Sequence, residues 1–590
     1  MTSELRPREA SRFRWEDLAL NLLPGALAGT QIAGLLFFLN PRIAFTLGSI
    51  TRAFLVFGGG LGLVSAAILT PLTWNRPGRA RQVLPWAVTF VLAASALLAW
   101  LQASHFAFFI PPGMNTRLIK AAIWLTLAFL ICFYTALLHS FQRRPYGKRT
   151  RIGLLAVGLV SVVLLLERRE AFRPRVDPAQ PSAIAAEPHP TLYLVGLSGA
   201  TLDALLPMAR QGHLPFLSQQ IEAGAYARLE TLTPLDESAL WTSVATGKYP
   251  YRHGVVGDTV WRAGFLDEGA RVRLLPFGLR FLFRTGLAAA REPISASTRD
   301  ALAGWEVLSR LGHATGSLGW PATLDTDESL RFIFSDNYFR GNFGSTSAWP
   351  PELAERGILF RVGIDEMDPE KVKRFGDEVP HDVLRALAGD LWRQSLTNFL
   401  LDQEKEVRAL FILLPGLREI SRDYFGGYSA AQFDGRQDAG SQEAARIVTA
   451  YYQHLDEFLA QLWAREPGPK LMAVVSQHGV SAPEGGYKLM AKLSGRPRAG
   501  TFDSRPDGVL LLLGRGVRAG TFVEEAEIID VLPTVLYGLG LPIAHDLDGR
   551  VLTEAFEPSF LATSPVTYVP SYETLATQGA FGVSRPLTRP

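Results

Sequence analysis

The stretch TLYLVGLSGATLDALLPMAR, residues 191–210, decides the fold of this chain. Its first seven residues are largely apolar and include β-branched side chains, a pattern typical of a buried parallel strand. The residues from 201 onward favour a helix, so the strand is expected to lead directly into one. Three further runs of the same kind are ALFILLPG (409–416), LMAVVSQHG (471–479) and DGVLLLLGRG (507–516).

Helical segments lie between these strands. They are predicted at 201–210, 214–224, 383–400, 441–465 and 527–540. Alternation of strands and helices predicts an α/β fold with a doubly wound sheet. In such folds ligands bind outside the carboxyl ends of the strands, which here are Ser198, Leu417 and the pair Gln477–His478.

Several segments, in unbroken order, resemble the type I phosphodiesterase and nucleotide-pyrophosphatase branch of the alkaline-phosphatase superfamily. The segment ALWTSVATGKYPYRHGVVG (239–257) resembles the nucleophile helix of that family and the turn that follows it. The segment VVSQHGVSAPEGG (474–486) is similar to its Ser-Asp-His-Gly motif. Residues 194–234, 505–520 and 527–556 resemble the opening strand and helix, the closing strand, and the last helix and turn. The resemblance implies an alkaline-phosphatase-like fold over 191–556.

The resemblance also implies a site with two zinc ions and a Ser or Thr nucleophile, held by carboxylates and imidazoles. Of the family's seven positions, only His478 is retained. The replacements are Ser198 for an Asp of the opening strand, Glu237 for the nucleophile, Leu417 and Arg422 for an Asp and a His, Gln477 for an Asp, and Ser504 for the last His.

These replacements predict that neither the zinc pair nor any other cofactor binds. The lost carboxylates would have neutralised the metal charge, and Arg422 adds a positive charge instead. A shifted alignment would make Ser238 or Asp236 the nucleophile, but it would restore no metal ligand. We expect Glu237 and Arg422 to form an ion pair across the vacated site. Neutral partners are expected around this pair, namely Ser198, Gln477, His478 and Ser504.

The N-terminal part of the chain contains apolar runs of the length that crosses a bilayer. Five such runs lie at about 18–39, 53–72, 84–103, 119–140 and 152–166. No Asp, Glu, Lys or Arg lies in the middle of a run, which favours anchoring over ion transport. The sequence therefore predicts an all-α membrane domain of about five transmembrane helices before the α/β domain.

The positive charges between these runs predict the orientation. Twelve Lys and Arg residues flank the side of the N-terminus, and eight flank the other side. By the positive-inside rule the N-terminus is cytoplasmic, and the C-terminal domain lies on the periplasmic or extracellular side of the plasma (inner) membrane. The predicted domains are a cytoplasmic N-terminus (1–17), the membrane domain (18–168), a Pro/Ala-rich linker (169–190), the phosphatase-like domain (191–556) and a loosely ordered tail (557–590).

A few other residues have an expected role. His253 and His454 are interpreted as structural, and Asp546 and Asp548 as a solvated or capping turn. The amphipathic segment FGLRFLFRTGL (277–287) is either a helix on the membrane surface or a packed cap helix.

Two functions are compatible with the sequence. In the first, the domain is a pseudoenzyme that binds or scaffolds a partner, as part of a protein complex in the lipid membrane. In the second, it is a hydrolase or transferase that acts on phosphate esters or lipid headgroups by rebuilt, metal-independent or single-metal chemistry, with Glu237 as base or nucleophile and Arg422 as phosphate clamp. The net charge of +3 gives no reason to expect nucleic acid as a partner.

Overall fold

The computed structural model describes residues 15–73, 79–142, 146–166, 190–277, 279, 289–323, 330–344, 346–429, 439–483, 488–489, 493, 499–502 and 507–573. These residues divide into two compact units. The first, the membrane unit, contains the described residues before 173 together with those between Thr259 and Pro293. The second, the sheet unit, contains those from 190 to Asp258 and those from Ile294 onward.

The membrane unit is built mainly from long apolar helices. They are α1 (Trp15–Leu39), α2 (Leu47–Ala53) continued by a π-helical turn (Phe54–Gly59) and α3 (Gly60–Thr73), α4 (Arg79–His105), α5 (Pro112–Gln142) and α6 (Lys148–Leu166). Four helical stretches of the described chain are long and apolar enough to cross a membrane: Trp15–Leu39, Leu47–Thr73, Arg79–His105 and Pro112–Gln142. The fifth predicted span forms the 19-residue helix α6, which is not among these four, so the predicted count of five is approximate.

Helix α1 packs closely against the stretch after α2 because it presents glycines there. A Cβ atom on Gly25 would lie 2.0 Å from the carbonyl oxygen of Leu61, and one on Gly29 would lie 2.1 Å from that of Phe57. Small residues four apart commonly let helices approach in this way in membranes. These two glycines therefore form a packing surface of α1.

An insert from the middle of the predicted 191–556 domain belongs to the membrane unit. It contains the antiparallel strands β3 (Thr259–Ala263) and β4 (Ala289–Pro293). Its buried side chains, among them Trp261 and Val272, form one apolar cluster with Phe37 and Ile43 of the helical part. The predicted phosphatase-like domain is therefore interrupted in structure, although it is continuous in sequence. Of the predicted amphipathic segment 277–287, only residues 277 and 279 lie within the described residues.

The sheet unit is organised around a nine-stranded mixed sheet. Its strands are β1 (Thr191–Leu197), β2 (Ala225–Glu230), β5 (Thr315–Leu318), β6 (Phe332–Phe334), β7 (Ala348–Trp349), β8 (Ala409–Leu414), β9 (Lys470–Ser476), β10 (Gly508–Gly514) and β11 (Thr521–Glu527). They follow the order β11-β2-β10-β9-β1-β8-β5-β6-β7. Strands β9, β1, β8, β5 and β6 are parallel, whereas β10 is antiparallel to both of its neighbours. All four predicted strands are present, at the centre of this sheet.

Helices of the sheet unit fill the connections between strands. They are α7 (Leu202–Arg210), α8 (Pro215–Ala223), α9 (Glu237–Thr246), α10 (Pro250–His253), α11 (Gly304–Arg310), α12 (Asp336–Phe339), α13 (Glu352–Ile358), α14 (Pro369–Lys373), α15 (His381–Gln403), α16 (Gly416–Tyr428), α17 (Ala439–Arg465), α18 (Val531–Gly538) and α19 (Pro558–Thr563). The predicted helix 527–540 is shorter than expected, because its first residue closes strand β11 and the next three form a 3₁₀ turn.

The predicted loose tail is ordered at its beginning. Helix α19 is followed by strand β13 (Tyr568–Val569), which pairs in parallel with β12 (Ile543–Ala544). The side chain of Tyr572 is buried. Single apolar anchors of this kind have no periodicity in sequence, so the prediction of a loose tail from 557 is wrong up to residue 573.

Candidate functional site

Helix α9 carries Glu237 at its first position and is otherwise buried. Asp236 caps it, since its Oδ1 accepts a hydrogen bond from the backbone N–H of Ala239 at 3.1 Å. The helix lies over strand β1, where Gly196 leaves room for the ring of Trp241; a Cβ atom there would come within 2.8 Å of that ring. A carboxylate in the first turn is also favoured by the helix dipole. This packing fixes Glu237 beside the carboxyl end of β1.

Four side chains surround the Glu237 carboxylate. Arg418 forms an ion pair with Oε1 through its Nε. His478 Nε2 lies 3.4 Å from the same oxygen. The hydroxyl of Ser198 and the amide of Gln477 each donate to Oε1, also at 3.4 Å. We call these five residues the Glu237 cluster. The Glu237 side chain is 35% exposed, whereas the His478 side chain is 2% exposed.

The cluster keeps Glu237 ionised. Burial raises the pKa of this carboxyl group, but the hydrogen bond from His478, the charges of Arg418 and His478 and the hydrogen bond from Ser198 together outweigh it, so the pKa lies below its ordinary value. Opposite charges and donated hydrogen bonds act in the same direction on a carboxylate. The group is therefore an anion at neutral pH, with part of its surface open to solvent.

Further contacts hold the members of the cluster in place. Gln477 Nε2 donates to Ser198 Oγ at 2.9 Å. His478 Nδ1 faces the carbonyl oxygen of Gly479 at 2.9 Å, so this nitrogen carries a proton. The ring of Phe502 stacks near both the imidazole and the Arg418 guanidinium, each at 4.8 Å. Among the described residues, the buried Gln477 Oε1 has no hydrogen-bond partner.

Arg418 reaches the cluster from the first turn of α16. The start of this helix is held by Asp390, whose two oxygens accept from the N–H of Gly416 at 3.3 and 3.2 Å. Tyr451 donates to the same carboxylate at 2.8 Å. The backbone also comes close to Gly199, which has a φ of +83° and where a Cβ atom would lie 2.9 Å from the Cα of Arg418. The position therefore requires glycine for both conformation and space.

The predicted ion pair between Glu237 and Arg422 is not formed. Arg422 instead pairs with its neighbour Asp423 at 2.9 Å and is 44% exposed. Leu417 is fully buried in the core of the sheet unit. Arg418 and Arg422 lie on the same face of α16, but four residues advance a helix by about 6 Å. Only Arg418 is close enough to the end of the strand to reach Glu237. The spacing of the two arginines in the sequence did not reveal this difference.

The structure brings together Ser198, Glu237, Gln477 and His478. Ser504 lies outside the described residues. The alternatives Ser238 and Asp236 do not replace Glu237 in the cluster, since Ser238 is buried within α9 and Asp236 caps that helix. The sequence analysis did not single out Arg418, because neighbouring residues were aligned with the family's ligand positions. The signal that could have identified Arg418 is its location just after a predicted strand.

The residues present do not fit a pair of zinc ions. Within the described parts of the chain, no three His, Cys, Asp or Glu side chains are grouped so that they could hold a metal ion. The cluster offers one carboxylate and one imidazole, and an arginine already neutralises the carboxylate. Zinc sites need at least three protein ligands, and a second positive ion would find no anion to balance it.

A second set of ion pairs lies at the other end of α9. Lys248 Nζ is 2.8 Å from Asp546 and 3.3 Å from Glu573, with the lysine side chain 8% exposed. Arg252 pairs with Asp548 at 2.6 Å. We call these five residues the Lys248 network. Of the two alternatives predicted for Asp546 and Asp548, the solvated turn is therefore wrong, because both side chains are largely buried against cations. The other alternative, a capping turn, agrees with the hydrogen bond that Asp548 Oδ2 accepts from the backbone N–H of Tyr249 at 2.9 Å.

The two histidines interpreted as structural have hydrogen bonds inside the sheet unit. His253 Nε2 lies 3.0 Å from Ser243 Oγ, and its Nδ1 accepts from the N–H of Val255 at 3.2 Å. His454 Nε2 lies 3.0 Å from the amide of Gln394. Burial, with the charges of Lys371 and Arg374, lowers the pKa of His454 to about 4. Burial and hydrogen bonding therefore give both histidines a structural role.

Comparison with known proteins agrees with this architecture. The family model of type I phosphodiesterase / nucleotide pyrophosphatase matches residues 192–491, just over half of the chain. The chain therefore belongs to this family. Among curated protein sequences, none matches it significantly.

Solved structures of the same superfamily align with the sheet unit at low identity. Wild-type alkaline phosphatase PafA is 12% identical and matches 63% of this chain and 100% of its own, with a TM-score of 0.40. Phosphonate monoester hydrolase from Silicibacter pomeroyi is 15% identical over 63% of this chain and 78% of its own, with a TM-score of 0.34. Murine ectonucleotide pyrophosphatase / phosphodiesterase 5 is 11% identical over 60% and 95%, with a TM-score of 0.32. These scores are too low to support conclusions about the site.

Proposed function

We propose that this chain is a membrane-anchored phosphodiesterase-family protein whose sheet unit binds a partner instead of hydrolysing a phosphate ester. The Glu237 cluster carries the proposal. In place of a metal-activated hydroxyl, it holds a carboxylate that is paired with Arg418 and His478. An attack on phosphorus by this anion would have to break the ion pair, with no metal to stabilise the charge that develops.

The proposed role is that of a binding or scaffolding module. The cluster replaces the cross-link that metal ions give to the family's site, so the fold keeps its shape without them. The proposed partners are a protein of the same membrane complex and the surrounding lipid. The fold is retained, and the site is stabilised by side chains alone.

A second candidate is a hydrolase or transferase with rebuilt chemistry. It is supported by the exposure of the Glu237 side chain, which is 35%. The lowered pKa of the carboxyl group keeps it ionised but also makes it a weaker base. In this mechanism Glu237 would act as base or nucleophile, and Arg418, not Arg422, would bind the phosphate group. The substrate would be a phosphate ester or a lipid headgroup.

Metal content and hydrolysis distinguish the two candidates. The full chain, purified in detergent, is analysed for bound metals and assayed with bis(p-nitrophenyl) phosphate beside the variant Glu237→Gln. The binding module is expected to contain less than one equivalent of tightly bound metal and to hydrolyse no faster than the variant. One or more equivalents of tightly bound metal, or hydrolysis that is lost in Glu237→Gln, would contradict the binding module, and the lost hydrolysis would favour the enzyme.

We further propose that the N-terminus is cytoplasmic and the sheet unit is on the outer side of the plasma membrane. Support comes from the charge bias and from the insert 259–293, which packs on the C-terminal end of α1, away from the N-terminus of that helix. Single cysteines at Ser3 and Ser504, in a Cys132→Ser background, are expected to react with an impermeant reagent from opposite sides. Labelling of both from one side would refute the orientation.

A further inference from the structure

The ion pair of the Glu237 cluster leaves parts of both side chains unused. All contacts of the Glu237 carboxylate with other described residues are made by Oε1, and Oε2 makes none. Arg418 approaches this carboxylate through Nε, and neither of its two Nη atoms has a hydrogen-bond partner in the described part of the chain. Both side chains are partly exposed to solvent. A carboxylate oxygen and the terminal guanidinium N–H groups therefore remain available within one cluster.

Two buried atoms of the same cluster also lack hydrogen bonds. Within the described residues, the acceptor Gln477 Oε1 and the donor Arg418 Nε are both buried without a hydrogen-bond partner. Arg418 Nε lies within ion-pair distance of Glu237 Oε1, but its N–H is not aligned with that oxygen. Buried polar atoms without partners are uncommon in proteins, because each of them costs free energy. The cluster thus contains one unused buried donor and one unused buried acceptor.

The chemistry of these groups favours a neutral ligand that both donates and accepts hydrogen bonds. The charges of Glu237 and Arg418 balance each other, so a charged ligand would find no counter-ion left in this pair. A hydroxyl group donates one hydrogen bond and accepts others, so it can serve Glu237 and Arg418 at once. A second hydroxyl on the adjacent carbon can donate to Gln477. Such a ligand competes with water for these positions, so it needs several hydrogen bonds together.

An aromatic ring borders the same group of polar atoms. Phe502 is half-buried, and its ring lies 4.8 Å from both the Arg418 guanidinium and the His478 imidazole. A sugar offers hydroxyls to carboxylate, amide and guanidinium groups, and its C–H face packs against aromatic rings. The amide side chain of a protein would satisfy the same polar atoms, but it has no comparable apolar face. The combination therefore favours a sugar over a peptide.

We propose that the Glu237 cluster binds a sugar through adjacent hydroxyl groups, with Glu237 and Gln477 as hydrogen-bond acceptors and Arg418 as the donor. The sugar is either free or part of a glycolipid headgroup. This inference rests on the binding function proposed above and names the class of its ligand. Because each hydrogen bond contributes little net free energy, a single sugar is expected to bind with a dissociation constant on the order of millimolar.

Binding of simple glycosides tests this proposal. The full chain, in a detergent without a sugar headgroup, is titrated with the methyl glycosides of glucose, mannose and galactose and followed by saturation-transfer difference NMR. Together these glycosides present adjacent hydroxyls in trans and in cis arrangement. At least one is expected to bind, and Glu237→Gln and Arg418→Ala should each weaken it about tenfold. Arg422→Ala, one turn further along α16 and outside the cluster, is the matched control and should bind as the wild type does.

Three results would overturn the proposal. The first is that none of the three glycosides binds the folded wild type at about 50 mM, far above the expected dissociation constant. The second is that binding is unchanged in both Glu237→Gln and Arg418→Ala. The third is that acetamide, which represents the amide of a protein partner, binds in a Glu237-dependent manner while the glycosides do not. Thermal unfolding, followed by tryptophan fluorescence, shows that each variant is folded.

A glycolipid distinguishes the two sources of the sugar. The diacylglycerol glycoside of the sugar that binds is titrated, and bound lipid is counted by native mass spectrometry. A higher affinity than that of the methyl glycoside supports a lipid headgroup, and an equal affinity supports a free sugar. If no glycoside binds while metal and hydrolysis are also absent, only the sugar is refuted and the binding module stands. Hydrolysis that depends on Glu237 would instead refute the binding module, whether or not a sugar binds.

Discussion

The two ends of helix α9 carry two ion-pair clusters of opposite character. At its N-terminal end the Glu237 cluster holds a carboxylate and an arginine that are each about one-third exposed. Beyond its C-terminal end the Lys248 network holds a lysine and an aspartate that are 8% and 10% exposed. Both clusters bind segments that are distant in sequence, but the central ion pair of the second is far less exposed to water.

The difference in exposure between the two clusters predicts different roles for them, one in stability and one in binding. A buried charge that loses its partner is costly, whereas a partly exposed one regains hydration from solvent. The Lys248 network is therefore expected to stabilise the sheet unit, and the Glu237 cluster is free to bind something else. Four variants, Lys248→Ala, Arg418→Ala, Glu237→Gln and Arg422→Ala, test this contrast.

The largest loss of stability is expected at the Lys248 network. Lys248→Ala leaves Asp546 and Glu573 without their cation in a buried setting, so the free energy of unfolding should fall by about 3–5 kcal/mol. Urea denaturation of the full chain in detergent, followed by tryptophan fluorescence, measures it. Lys405→Ala, at an exposed lysine of a loop, is the control. A loss below about 0.5 kcal/mol for Lys248→Ala would show that exposure does not separate the two ends.

A smaller loss of stability is expected at the Glu237 cluster. Arg418→Ala removes the ion-pair partner of Glu237, but solvent compensates, so about 1 kcal/mol should be lost. A double-mutant cycle with Glu237→Gln isolates the interaction. A coupling free energy as large as the loss of stability in Lys248→Ala would mean that the Glu237 cluster is shielded from water in solution.

The stability that the pair of Glu237 and Arg418 contributes should depend on pH. The pKa of Glu237 is lowered in the folded state, so its contribution is present above the unfolded value of about 4.3 and is lost as the pH falls through the folded value. The stability difference between wild type and Glu237→Gln should be constant from pH 7 to 5 and decrease below. In an Arg418→Ala background the folded pKa of Glu237 should rise, so the difference above pH 5 should be smaller and its loss should be complete at higher pH. An unchanged size of the difference would remove Arg418 as a cause.

The smallest effect is expected at Arg422, which the sequence placed in the site. Its guanidinium is 44% exposed and paired with an adjacent residue, so Arg422→Ala should change stability by less than about 0.5 kcal/mol. The same denaturation assay compares it with Arg418→Ala. A larger loss for Arg422→Ala than for Arg418→Ala would restore the original assignment.

The sequence by itself determined the central strands and the family, and it predicted the loss of the metal ligands. Strand β1 was predicted to the residue, because a run of buried apolar side chains is a local signal. The ligand losses also follow from residue identity alone, since Leu417 offers no donor atom in any fold. Likewise, the apolar runs revealed the membrane helices through length and composition.

Tertiary structure alone decided which charges meet. Lys248 and Asp546 are 298 residues apart in sequence, and no periodic pattern connects them. The choice of Arg418 over Arg422 depends on one helical turn relative to a strand end. The assignment of 259–293 to the membrane unit depends on Asn40, which is 234 residues from its partner Leu274. Contacts of this kind arise from chain topology, whereas sequence patterns report only the local fit of each segment.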